Sequence, residues 1–168
     1  MESQEFLVAD MVRRLGEVVG RKKLQKIVFL LKSVGAPFVE RFTYHFYGPY
    51  SEQLADEIRW LVGTGHLTEV TQETANRHVE CIYRPGEEPI PARLPEFCMP
   101  LAHRLNGYDA RLLELMATIQ YLGMQGMDLA QAGMRARDLK PTQEYTDQET
   151  ETALNILTGL RHASDGAA

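Results

Sequence analysis

Five prolines in the sixteen residues from Pro85 to Pro100 divide this chain into two parts of different pattern. Each proline fixes its φ and removes a backbone donor, so neither a long helix nor a central strand can cross the segment. Residues 85–106 therefore read as a connector. Before it, residues 1–84 mix helical and strand periodicities; after it, residues 107–162 are helical throughout, and 163–168 are expected to fray.

In the first part, Phe6, Val12, Leu15 and Val19 recur at near-helical spacing over 4–18, opposite Arg13, Arg14 and Glu17. A second helix, about 22–33, carries Leu24, Ile27, Val28 and Leu31 and stops at Gly35-Ala36-Pro37. The nearly alternating aromatic run Phe42–Tyr47 predicts a strand ended by Gly48-Pro49. Ser51 is a suitable N-cap for a helix bearing Leu54, Ile58, Leu61 and Val62. Segments 67–71 and 78–83, joined by the polar stretch Gln72–Arg77, predict a hairpin. In the second part, Asp109 and Asp128 cap two helices, and Thr146 with Glu149 forms a capping box for a last one. The expected class is α+β: a winged-helix-like N-terminal module with a helical C-terminal extension packed on it.

A chain of 168 residues with 44% apolar content is long enough for one substantial core. Its net charge of −5 disfavours indiscriminate polyanion binding. Basic and acidic residues nearly balance through residue 66, and the excess acid lies beyond. Any nucleic-acid contact must then use a local basic patch. Cys81 and Cys98 are the only cysteines, and no apolar run approaches the roughly 20 residues that span a bilayer, so a soluble cytoplasmic protein is expected.

Gly20-Arg21-Lys22-Lys23-Leu24-Gln25-Lys26-Ile27, Tyr47-Gly48-Pro49-Tyr50-Ser51 and Leu139-Lys140-Pro141 stand in this order along the chain. In these motifs it resembles the YwgA-like bacterial protein family, over most of its length. The pairing of the Lys-Leu-Gln-Lys helix with the Tyr-Gly-Pro loop is also similar to Panacea-type domains of antitoxins. The resemblance implies a regulatory or interaction role and brings no catalytic residues. The proline-rich connector matches nothing in that pattern.

Two function classes follow. The first is a small regulator that binds DNA through Arg21, Lys22, Lys23 and Lys26 at a helix start, through Gln53 and Arg59 on the Ser51–Val62 helix, and through Arg77 of the wing. Cations at a helix start oppose its dipole, which points either to a bound phosphate or to surface pairing with Asp10, Glu17 or Glu40. Against DNA stand Glu52, Asp56 and Glu57 on the proposed recognition helix. The second class is an interaction protein, an antitoxin or adaptor, holding a partner such as a toxin with Tyr47 and Tyr50 beside the Gly-Pro loop. Core packing explains most of Tyr44, His45 and Trp60. Met116, Met124, Met127 and Met134 read as core filling or as a homodimer seam. His78, Cys81, Cys98 and His103 lack metal-ligand spacing, and no nucleophile–base pair is legible, so no cofactor and no enzyme is expected.

Overall fold

The computed structural model describes residues 4–46 and 48–166. It is an α+β protein with seven α-helices and five short strands among those residues. Helix α1 (Leu7–Leu15) buries Leu7, Val8, Met11 and Val12 and ends at Gly16, whose φ is 91°. The sequence predicts helix to residue 18. Instead, β-branched Val18 and Val19 form strand β1 (Val18–Val19), opposite Tyr83 and Ile82. Helix α2 (Arg21–Ser33) follows at once, with every residue from Leu24 to Leu31 buried.

The aromatic run is shorter as a strand than its alternation predicts. Strand β2 (Thr43–His45) pairs antiparallel with β3 (Gly48–Tyr50), so the run folds back as a hairpin before Pro49. Helix α3 (Glu52–Gly63) starts at Ser51, whose Oγ accepts from the Leu54 N–H at 3.0 Å. Strands β4 (Leu67–Glu73) and β5 (Val79–Pro85) form the expected hairpin in register Val70 to Ile82, and the three-stranded sheet has the order β1-β5-β4.

The last residues of the connector form a helix, α4 (Met99–Asn106), which accommodates Pro100 in its first turn, where no backbone N–H is required. Asp109 and Asp128 cap α5 (Ala110–Met124) and α6 (Leu129–Leu139), each accepting a backbone N–H at 2.8 Å. Thr146 and Glu149 exchange two 3.0 Å bonds as a capping box for α7 (Asp147–Gly166). That helix continues beyond Ala163, where fraying is expected. Leu94, Cys98 and Met99 of the connector are buried with residues of α1, α2, α5 and α7 in one hydrophobic cluster. Helix α2 packs against α4, α5 and β3, and this places its first two turns beneath the β2–β3 hairpin.

Candidate functional site: a propped aromatic hairpin

The three motif segments meet at one place. Gln25 donates to the Ser51 carbonyl at 2.9 Å and accepts from the Ser51 N–H at 3.0 Å, so its amide acts as a short strand partner for the chain leaving the hairpin. Lys26 donates to the Pro49 carbonyl at 2.5 Å. Lys140, immediately after α6, donates to the Phe46 carbonyl and to Glu114 Oε1, both at 2.9 Å. Lys22 Nζ stands 3.5 Å from Glu114 Oε2. The hairpin backbone thus rests on a buried cluster of lysines around one carboxylate.

Burial makes these bonds matter. Lys26 is 1% exposed, Glu114 2% and Lys140 5%. A buried ammonium without a partner is strongly penalised, and so each lysine is held where an acceptor exists. Burial pushes the Lys26 pKa down to about 8; Glu114 opposes that shift, and Lys140 and Lys22 add to it. Gly48 completes the seat: its φ is 86°, and a Cβ there would lie 2.9 Å from Thr118 Oγ1 of α5. Only glycine brings the backbone this close to that helix.

Above the cluster the hairpin displays rings. Phe46 is 82% exposed at the turn, while Tyr44 packs on Tyr121 at 5.8 Å and lies under the Lys140 ammonium at 6.0 Å. Burial, and then Glu114, raise the Tyr44 pKa. His45 contacts Tyr50 at 5.2 Å. Tyr50 is half-buried, and Tyr47 lies outside the described residues. Leu139 and Met134 of α6 are exposed on the helix that leads into Lys140.

The expected basic patch is dispersed. Lys26 is buried, and Arg21 pairs with Glu69 at 2.8 Å. Lys22 turns to Glu114, and Lys23 has its pKa lowered by burial, with Asp109 opposing. The surface pairing partners named above do not serve it either: Asp10 binds Arg13 and Arg14, Glu17 binds Arg84, and Glu40 is fully buried away from the surface. Arg59 pairs with Asp56, and Gln53 accepts from the Arg41 N–H at 3.4 Å. Arg77 occupies the turn of the β4–β5 hairpin with φ 62°. Arg21, Arg59, Tyr50 and Glu69 do share a cleft of about 290 Å³ between α2, α3 and β4. Two residues escaped the sequence reading. Glu114 is a lone carboxylate in the apolar run Leu112-Leu113-Glu114-Leu115-Met116, which is its signal; Phe46 is masked by an alternation that implies a buried face.

Among the described residues no three His, Cys, Asp or Glu side chains converge as metal ligands, and no helix is long and apolar enough to cross a membrane. Fold and site together define an α+β protein in which the Lys-Leu-Gln-Lys helix, the Gly48-Pro49-Tyr50 strand and Lys140 after α6 form one structural unit. The chain belongs to the YwgA family: it is 32% identical over 152 residues to uncharacterized protein YwgA of Bacillus subtilis (strain 168), covering 87% of this chain and 89% of that protein. No family model matches it.

Proposed function

We propose that the protein is a non-enzymatic interaction module that holds another protein on the β2–β3 hairpin, in the manner of an antitoxin or adaptor. The observation that carries this reading is Phe46, 82% exposed on a turn whose own carbonyl is held by buried Lys140. A large ring presented on a pre-ordered backbone loses little freedom on binding, which is the character of an interface anchor. Leu139 and Met134 are further exposed apolar side chains on α6, the helix that leads into Lys140.

The test is capture from a lysate of the organism that encodes the protein, identification of the bound protein, and reconstitution from two purified components. Phe46→Ala is expected to weaken the reconstituted complex about tenfold or more, as loss of an aromatic anchor does. A complex indifferent to Phe46→Ala overturns the proposal. Tyr50→Ala tests the neighbouring ring in the same assay.

A second reading has its own observation. The order α1–β1–α2–α3–β4–β5 with sheet order β1-β5-β4 supports a winged-helix module in which β2–β3 is inserted between the second and third helices. DNA would then meet α3 and the β4–β5 turn through Arg21, Lys23, Gln53, Arg59 and Arg77. Exposed Glu52 and Asp56 on α3 oppose this, and Lys26 cannot take part from its buried position. DNA binding that weakens steeply with salt and with Lys23→Glu and Arg77→Glu would favour this reading.

A further inference from the structure

At the end of α2 away from the hairpin lies a groove of about 550 Å³, walled by Leu31, Val34, Phe97, Leu101, Leu160 and Ala163. Its size falls within the range of about 300–1,000 Å³ typical of small-molecule sites. The walls are aliphatic and aromatic; among the described residues Arg104 of α4 is the one charged residue that lines it. The Arg104 Nε donates to the Tyr108 hydroxyl at 2.9 Å, which orients the guanidinium and leaves its Nη groups for an acceptor. Leu31 and Leu160 are buried at the floor, and Phe97 is 66% exposed at the rim.

We propose that this groove binds a single-chain amphiphile with an anionic head, such as a medium-chain fatty acid, its tail along Leu31, Leu101 and Leu160 and its carboxylate on Arg104. Charge selects the occupant. Arg104 is exposed, so water meets its donors when no acceptor is bound; a purely apolar ligand gains nothing from it, a carboxylate gains a charge-assisted contact, and a cation would face a fixed positive charge. The carbonyl end of α2, which forms the wall at Leu31 and Val34, carries the negative pole of that helix and disfavours an anion there. The head group is therefore directed to Arg104, where a carboxylate accepts a charge-assisted pair of bonds. This site is independent of the hairpin and of either reading of its function.

The probe is decanoate, titrated calorimetrically into the full-length protein, with decanol and decyltrimethylammonium as controls. Saturable decanoate binding is expected, about tenfold tighter than decanol and with no binding of the cation, a ratio equivalent to one charge-assisted contact. Arg104→Gln should remove the preference for decanoate over decanol while leaving decanol binding intact. Ala163→Trp should fill the groove and abolish both, and an unchanged thermal melt of that variant separates blocking from misfolding. Failure of decanoate to bind, equal binding of decanol, or decanoate binding untouched by Ala163→Trp overturns the proposal. So does a concentration-dependent dimer that closes the groove and excludes decanoate.

Discussion

Glu40 and Glu57 show how much one pair of side chains can impose. Glu40, in the segment leading to β2, is fully buried, and among the described residues no cationic or backbone donor is placed on either of its carboxylate oxygens. It faces Glu57 of α3, whose pKa is pushed up to about 9 by burial first and then by Glu40. Half-buried beside the Glu40 carboxyl, Glu57 keeps its proton well above the ordinary carboxyl range, because burial and the neighbouring carboxylate both penalise its charged form. The folded state therefore binds a proton that the unfolded chain releases above about 4.5, the ordinary carboxyl value. The stability contributed by that proton is complete below the unfolded pKa and is lost as pH rises through about 9. Glu57→Gln should remove that slope, since a neutral amide donates to Glu40 without titrating. At pH 8 the variant is expected to be the more stable by about 1 kcal/mol, a figure reduced for the partial solvent exposure of Glu57. Urea melts at pH 5 and pH 8 check this: a variant less stable than the parent at pH 8 contradicts the proton held on Glu57. Trp60, one turn from Glu57 and the single tryptophan of the chain, reports the transition.

At the scale of elements, the hairpin depends on what lies beneath it more than on its own two short strands. A two-stranded ribbon of this length has little stability in isolation. Its three supports are Lys26, Lys140 and the close approach of Gly48 to α5. Gly48→Ala should cost about 2 kcal/mol or more, combining a positive φ with a Cβ forced against Thr118. Adding Thr118→Ser should recover little of it, because the hydroxyl oxygen that meets the Cβ remains. Thermal melts of the single and double variants test this, and full recovery in the double variant would contradict both the clash with the hydroxyl oxygen and the cost of the positive φ. The elements themselves were largely legible. Ser51, Asp109, Asp128 and Thr146 announce helix starts by local chemistry, and each cap forms as its residue type predicts. What was not legible depends on contacts distant in sequence. Strand β1 exists because β5 offers an edge to Val18 and Val19, and Lys26 is buried because Pro49 and Glu114 lie close to it. A lysine at a helix start reads as a surface cation until the fold supplies the acceptors.

For the whole molecule, the connector marks a change of pattern without separating two cores. Helix α2 belongs to the first part by sequence, yet it packs against α4 of the connector and α5 of the second part. Leu94 and Cys98, inside the proline-rich segment, are buried with both groups of helices. Arg14 of α1 reinforces the junction, donating to the Leu94 carbonyl at 2.8 Å and to Glu96 at 2.5 Å, and the buried Asp10 carboxylate accepts from the Leu94 N–H at 2.7 Å. A fragment ending at residue 92 would expose the α5-facing side of α2, leave Lys26 without Glu114, and remove Leu94 from Asp10. Exposed apolar surface costs about 25 cal/mol per Å², and a marginal domain has only about 5–15 kcal/mol to lose. The fragment is therefore expected to lack a cooperative thermal transition, whereas the full chain unfolds in a single one with coincident circular dichroism and Trp60 fluorescence. A fragment that melts cooperatively by itself would show the first part to be a self-sufficient module. The winged-helix reading would then gain weight, because a winged helix that reads DNA does not require α5 to complete its core, whereas an interaction hairpin propped by Glu114 and Lys140 does.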